Sequence, residues 1–464
     1  MAGIGFNLQK ILEGDTYLDS VKAHFYSALI SSGPWIISIL TLFSLTRLAP
    51  AGITLYEMML FRAVIIYIFA FSLTVAGFFQ LPVTRYLADK LYVHEHEALL
   101  PAFNTAVLML LSIQTVIGVT AACFWEASMP MKILAVFIYL AISLLWLVMI
   151  FLTALRDYQA ITLAFFTGGI VTVVCGFFLG ERWGITGYFA GYLAGHLVTA
   201  VMLTARIYIE FESRRAWDWG LIPFMARNGV LVMIGLFYNL ALWADKMAFW
   251  WSPRGVTVSS FFRVTPDYDA ATFFAYLTMI PALSFFLIHL ETDFYRRYRR
   301  YYLAIIDKSP LSVIRHNTQE MTKSLRRNLS FLVKYQGLIC LLMIAFAQDI
   351  AAVLHLPWVQ VPIFRITVLG AFLHSLLLIS TIIVLYFDFR RLALFLVFLF
   401  MVLNGLFSAV TARMDLAWWG FGYLGACFLT LMAGFYGMDA KFRKLEYLTF
   451  AAQPVAAHRE EEIV

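Results

Sequence analysis

The sequence predicts an all-α integral membrane protein of about twelve transmembrane helices, with both termini cytoplasmic. Three observations predict it. Of the 464 residues, 62% are hydrophobic and only 13% are charged, whereas a soluble globular chain carries about 25% charged residues. The apolar residues gather into twelve runs close to the ~20 residues that a helix needs to cross a bilayer. Lysine and arginine concentrate on alternate connections between those runs. Soluble enzymes, nucleic-acid-binding proteins and disordered scaffolds are excluded despite a net charge of +6, because most of the chain has lipid as its solvent.

The first six runs cover roughly 24–48, 58–81, 102–125, 133–155, 160–179 and 185–205. The second six cover roughly 228–251, 269–290, 329–347, 363–387, 392–412 and 417–438. The fifth and ninth are short or interrupted by polar residues. With the N-terminus inside, 24 Lys and Arg lie on the inner segments and 5 on the outer loops, the other 5 lying within spans or at their edges. An odd number of spans would scramble that asymmetry. The longest polar stretch, about 292–328, follows the eighth run and begins Tyr295-Arg296-Arg297-Tyr298-Arg299-Arg300-Tyr301-Tyr302. It reads either as an anchor against anionic headgroups or as a docking surface for a cytoplasmic partner, since Tyr and Arg are typical of interface hot spots. Met1 to Lys22 is too polar for the apolar core of a signal peptide.

Ionisable groups inside a span are costly, which makes each a functional candidate. Asp245 and Lys246 lie five or six residues before Trp251, so roughly 7–9 Å below the outer interface at about 1.5 Å per residue. Arg62 and Arg365 enter spans two and ten from the outer side by a similar amount. This set reads either as structural ion pairs or as a polar vestibule or gate. Asp245 is the one carboxylate well inside a span, so any coupling proton or cation would go to it. Tyr238, Asn239, Trp243, Lys246 and Trp250 share span seven, and Asn239, Trp243, Lys246 and Trp250 recur at spacings that put them on one helix face. Aromatic rings suit the apolar faces of sugars, while Asn, Arg and Asp suit hydroxyls. An interfacial aromatic belt is the competing reading for Trp250 and Trp251. His196 and His374 fall near the midplane, as packing residues or as relays.

Helix breakers supply candidate bending points. Gly33 and Pro34 interrupt span one, Pro281 interrupts span eight, and Gly168-Gly169 loosens span five. The four cysteines, all in apolar runs, share no metal-ligand spacing, and His94 and His96 are too close in sequence to share a helix face, so no metal or other cofactor is expected. No phosphate-binding loop, zinc-protease motif or nucleophile elbow is present. The chain does not read as an enzyme.

Several segments carry a resemblance. They are the opening Met1-Ala2-Gly3-Ile4-Gly5-Phe6, Ile30-Ser31-Ser32-Gly33-Pro34-Trp35, Trp243-Ala244-Asp245-Lys246, and Ile280-Pro281 followed by Glu291-Thr292-Asp293-Phe294-Tyr295. Together they resemble the family of Pel exopolysaccharide inner-membrane transporters, on the polysaccharide branch of the flippase superfamily. The resemblance implies two six-helix lobes, about 1–212 and 213–464, around a central cavity. It implies export of a Pel-like polymer of amino hexoses across a bacterial inner membrane. It also implies partnership with a cytoplasmic glycosyltransferase and membrane scaffold subunits, for which Glu291, Tyr295, Arg296, Arg297, Arg299 and Arg300 are the docking candidates. Two other readings share these features: an ion-coupled flippase for lipid-linked or amphiphilic substrates, and a scaffold that only holds the synthase together.

Overall fold

A computed structural model describes residues 37–451, apart from 39, 43, 47, 49–51, 156–157 and 355 and the side chains of 153–155, 158–159 and 291. Gly33, Pro34, most of the expected first span and the Glu460–Glu462 tail therefore lie outside the described residues. Among those described, ten helices are long and apolar enough to cross a membrane. The all-helical membrane architecture expected from the apolar runs is what forms.

The reason is local. In hydrocarbon every backbone N–H and C=O needs an internal partner, and a helix supplies one at each turn. Helix α1, Leu55–Tyr92, starts at a capping box in which the Glu57 N–H donates to Thr54 Oγ1 (3.2 Å) while the Thr54 N–H donates to Glu57 Oε2 (2.8 Å). It ends where His94 takes a φ of +60°. Helices α2 (Leu99–Phe124) and α3 (Met129–Leu155) follow. Helix α4, Tyr158–Glu210, is broken at Trp183 and Gly184, the latter with φ +57°. Its 51-residue apolar portion would run about 75 Å if straight, against a hydrocarbon core of about 30 Å. It folds back instead, and supplies both the fifth and the sixth expected crossings.

The two rods of α4 pack through glycines. A Cβ on Gly195 would meet the Gly168 carbonyl at 2.3 Å, and one on Gly191 would meet the Gly176 backbone at 2.3 Å. Gly168 thus serves close helix approach, as small residues do within membranes, which corrects the expectation that it loosens its span.

The second half begins with the short α5 (Leu221–Arg227) and α6 (Gly229–Trp250). A hairpin of β1 (Val256–Ser259) and β2 (Phe262–Val264) comes next, where the sequence suggested only an outer loop. Helices α7 (Pro266–Leu277) and α8 (Ile280–Phe285) are separated by a break at Thr278–Met279, and Pro281 opens the second of them. The Thr278 carbonyl freed there accepts from Gln336 Nε2 at 2.6 Å. A wide turn at Phe286–Leu290 leads into α9, Glu291–Ile306. Helix α10 (Leu311–Ala345) begins well before the expected ninth span, so the polar stretch is a helical hairpin rather than a loop. Then come α11 (Ala347–Val353), α12 (Gln360–Tyr386), α13 (Arg390–Thr411), α14 (Phe421–Phe442) and α15 (Leu445–Ala451).

Four buried apolar clusters form the core. One is built from residues up to Met225, and two from residues beyond Leu231 or Phe249. The fourth, containing Phe61, Tyr67, Trp125 and Tyr188 together with Trp250, Val258, Phe262 and Val264, joins the two halves. Deeper along α1 and α6 the halves also touch at Gly77 and Gly235, where a Cβ on Gly235 would meet the Gly77 carbonyl at 2.1 Å.

Candidate polar site in the second half

Asp245 and Lys246 sit on α6 and are almost fully buried, at 0% and 6% exposed. Adjacent residues on a helix point about 100° apart, yet the lysine stem folds back. Its Nζ donates to Asp245 Oδ2 at 3.0 Å, to Oδ1 at 3.2 Å and to the Tyr276 hydroxyl at 3.0 Å. It also lies 4.3 Å from the Tyr276 ring centroid, in cation–π geometry. The carboxylate has further donors. The Tyr268 hydroxyl donates to Oδ2 at 2.9 Å, and Asn404 Nδ2 approaches Oδ1 at 3.5 Å while donating to the Ala241 carbonyl at 2.9 Å. Every one of these partners belongs to the second half. A buried pair survives in low dielectric only if its remaining lone pairs and protons are satisfied, and Tyr268, Tyr276 and Asn404 do that.

The network continues away from the charges. The Tyr276 ring meets Tyr423 edge-on at 5.7 Å; the Tyr423 hydroxyl lies 2.9 Å from His374 Nδ1, and the Tyr238 hydroxyl lies 3.5 Å from His374 Nε2. His374 is 1% exposed. Five helices, α6, α7, α12, α13 and α14, therefore meet through one string of polar groups.

The structure separates the residues that the sequence grouped. Arg62 is exposed on α1 and makes no ion pair among the described residues. Arg365 is half-buried and its Nε has no hydrogen-bond partner among the described residues. Neither joins Asp245 and Lys246, so the expected cluster of three bases and an acid reduces to one pair. Depth along a helix does not fix azimuth.

The expected single face of α6 divides in the same way. Asn239 donates to Gln80 Oε1 of the first half at 2.7 Å and to the Gly235 carbonyl at 2.8 Å. Trp243 packs on the cluster shared by the halves, and its indole nitrogen has no partner among the described residues. Trp250 is not part of an interfacial belt: it is 0% exposed, stacks on Tyr67 at 4.6 Å, and donates to Asp269. Trp251, 55% exposed, keeps the belt position. Lys246 alone turns toward the second-half interior.

At the basic end, α9 is amphipathic. Phe294 and Tyr301 are buried, the half-buried Tyr298 donates to the Tyr386 carbonyl at 3.1 Å, and Tyr301 donates to Thr449 Oγ1 at 3.0 Å. Arg296, Arg299 and Arg300 are exposed. Arg297, half-buried, pairs with Asp293 at 3.3 Å and with Glu320 at 3.2 Å. Tyr295 is half-buried, and the Glu291 side chain lies outside the described residues. The Tyr/Arg run is thus a packed tyrosine face and an exposed arginine face. Burial raises the pKa of Asp293, but hydrogen bonds from Ser324 and Asn328 and the charge of Arg297 outweigh it and hold it below the usual carboxylate range.

Sequence reasoning missed Tyr268, Tyr276, Tyr423 and Asn404. The available signal was a lone Asn in the apolar run of α13 and tyrosines deep within spans. Asn404 reaches Asp245 across 159 positions of sequence, and nothing in the local pattern announces it.

The family model for PelG, described as "Putative exopolysaccharide Exporter (EPS-E)", matches residues 1–450. The chain belongs to the PelG family. PelG proteins are transporters rather than enzymes. Solved structures agree on the fold. A multidrug resistance MATE family transporter of the MOP superfamily, outward-facing, is 14% identical with a TM-score of 0.59, the match covering 94% of this chain and 98% of that one. A MATE protein in the bent conformation scores 0.58 at 12% identity, covering 95% and 98%. A MOP superfamily transporter from Pyrococcus furiosus scores 0.58 at 13% identity, covering 91% and 95%. No curated protein matches the chain. This PelG-family chain therefore has the MATE-like fold of the MOP superfamily.

Proposed function

We propose that this protein exports a Pel-like amino-sugar exopolysaccharide, made by a cytoplasmic glycosyltransferase, across a bacterial inner membrane to the periplasm for biofilm formation. The observation that carries the reading is the family match over residues 1–450. In this reading the lobes are 1–212 and 213–464, and both termini are cytoplasmic. The polymer passes between the lobes. Tyr238, Tyr276 and Trp243, half-buried on α6 and α7, offer ring faces and hydrogen-bonding groups suited to sugar, and Arg62 and Arg365 would line the outer exit. Gly33-Pro34 and the Pro281 break would let helices bend as the lobes rock. The exposed Arg296, Arg299 and Arg300 would receive an acidic face of the transferase or of a scaffold subunit, steered by charge complementarity.

Proteoliposomes holding this protein, the transferase and its sugar nucleotide test the proposal. Polymer is expected inside vesicles only when the exporter is present. Polymer that stays outside, made at the same rate with or without it, would leave only a scaffold role. The buried Asp245 supports a second reading, an ion-coupled carrier for lipid-linked or amphiphilic substrates. That reading expects transport to collapse with the ion gradient even when sugar nucleotide is plentiful.

A further inference from the structure

The β1–β2 hairpin belongs to the second half by sequence, yet its polar bonds run to the first. It is tethered at home by the Arg263 guanidinium, whose Nη2 donates to the carbonyls of Ser252 (3.2 Å) and Gly255 (2.9 Å). Across the divide, the Tyr56 hydroxyl donates to the Val258 carbonyl at 2.9 Å. The Tyr67 hydroxyl donates to the Arg263 carbonyl at 3.0 Å and accepts from the Arg263 N–H at 3.1 Å, so one phenol closes both backbone groups of a β-residue. Trp125 Nε1 donates to Ser259 Oγ at 3.3 Å, and the Glu126 N–H donates to Ser260 Oγ at 3.0 Å.

Rings reinforce these bonds. Tyr67 lies between Trp250 and Phe262, at 4.6 and 5.1 Å, and Phe262 meets Trp125 edge-on at 5.3 Å. Ser260 also holds a φ of +47°, a left-handed conformation that costs a non-glycine residue free energy and persists where surrounding contacts enforce it. The hydroxyl of that strained residue is the one that reaches Glu126. This is the end where the hairpin and Trp250 of the second half share one buried cluster with Phe61, Tyr67, Trp125 and Tyr188 of the first.

We propose that the hairpin is a latch that fastens the outer ends of the two halves, so that its release from Tyr56, Tyr67, Trp125 and Glu126 gates opening to the outside. The proposal rests on the transporter fold, in which the halves part, and not on the identity of the cargo. The bonds are of a kind that can exchange with water. Hydrogen bonds and a stacked pair close the gap without any covalent or ionic lock among the described residues, and each hydroxyl and amide finds a water partner once the halves separate.

Spin labels test it in the purified full chain, with Cys123→Ser and Cys175→Ser as background. One pair of labels, at Leu55→Cys and Trp251→Cys, reports the outer end, and a second, at Tyr92→Cys and Tyr436→Cys, reports the basic end; all four positions are exposed. The triple variant Tyr56→Phe, Tyr67→Phe, Ser260→Gly keeps both rings and suits the turn, yet removes three of the fastenings. The expected result is a shift toward longer outer distances, on the order of tenfold in the ratio of separated to fastened molecules, with shorter distances at the basic end. An unchanged outer distribution overturns the latch. A second variant, Glu126→Cys with Ser260→Cys joined by a short thiol cross-linker, is expected to hold the short outer distance and stop export until it is cleaved. Export through the cross-linked protein also overturns it. Failure of the export reading looks different: no polymer crosses even before cross-linking, while the distances still shift.

Discussion

The two halves of the chain are both largely helical but hold their buried polarity differently. In the first half the central buried network is built from neutral groups. Gln114 Nε2 donates to the Ser72 carbonyl at 3.1 Å, Trp146 Nε1 donates to Ser72 Oγ at 3.1 Å, and the Tyr139 hydroxyl donates to Gln114 Oε1. His196 lies on its own helix, with Nδ1 2.9 Å from the Tyr192 carbonyl and its ring stacked on Tyr192. The second half holds a full ion pair, Asp245 and Lys246, braced by Tyr268, Tyr276 and Asn404. A neutral network tolerates partial loss. A buried charge does not, because losing one partner leaves the other uncompensated in low dielectric.

The largest test of that contrast is Lys246→Met. It should destabilise the folded protein by about 3–5 kcal/mol, read as a fall in thermal midpoint and in membrane abundance. Asp245→Leu combined with Lys246→Met should recover most of the loss, since replacing a buried pair by apolar residues of similar volume is often neutral. Asp245→Asn should also reduce the amount of folded protein. Full abundance with transport abolished would move the pair from scaffold to transport machinery. Tyr268→Phe removes one hydrogen bond to a buried carboxylate and should cost about 1.5–3 kcal/mol. The matching change in the first half, Gln114→Leu, leaves the Tyr139 hydroxyl without its acceptor and removes the second bond to the Ser72 carbonyl. It should cost about 1–3 kcal/mol, with a smaller midpoint shift than Lys246→Met. If Gln114→Leu proves the more damaging, the contrast between the halves is wrong.

Two smaller effects belong to the helical hairpin at the basic end. Because Asp293 has a lowered pKa in the folded state, its contribution is fully present above the usual carboxylate pKa. That contribution is lost as pH falls through the lowered value. Loosening of α9 against α10, followed by hydrogen exchange, should therefore begin only in acid below the ordinary carboxylate range, and Asp293→Asn should remove that pH dependence. Replacing Arg296, Arg299 and Arg300 with alanine should change folding stability by no more than about 0.5 kcal/mol per substitution, as exposed substitutions do. Pull-down of the transferase should weaken in that variant, and undiminished pull-down would remove this face from the docking surface.

Much of this was legible along the chain. Apolar run length located most of the described spans, because the bilayer imposes one length scale on every crossing, but it placed the end of α1 eleven residues early and the start of α10 eighteen residues late. The breaks at Gly184 and Pro281 were visible as a turn between two runs and as a missing N–H. Asp245 and Lys246 stood out because charge inside an apolar run is rare. What surrounds them was not legible. Arg62 and Arg365 share their depth but not their neighbours, since azimuth depends on how the helices pack. The Tyr/Arg run showed its composition, but which side of α9 packs was decided by Tyr386 and Thr449, far along the chain.

The sequence by itself determined that this is a many-span helical protein with one acid deep in a span, because hydrophobic length and charge cost act residue by residue. Only the tertiary structure decided what that acid meets, where Trp250 goes, and that the segment from Val256 to Val264 forms a hairpin gripping the other half. Those outcomes depend on which side chains five or more helices bring to the same point, a relation that no local pattern encodes.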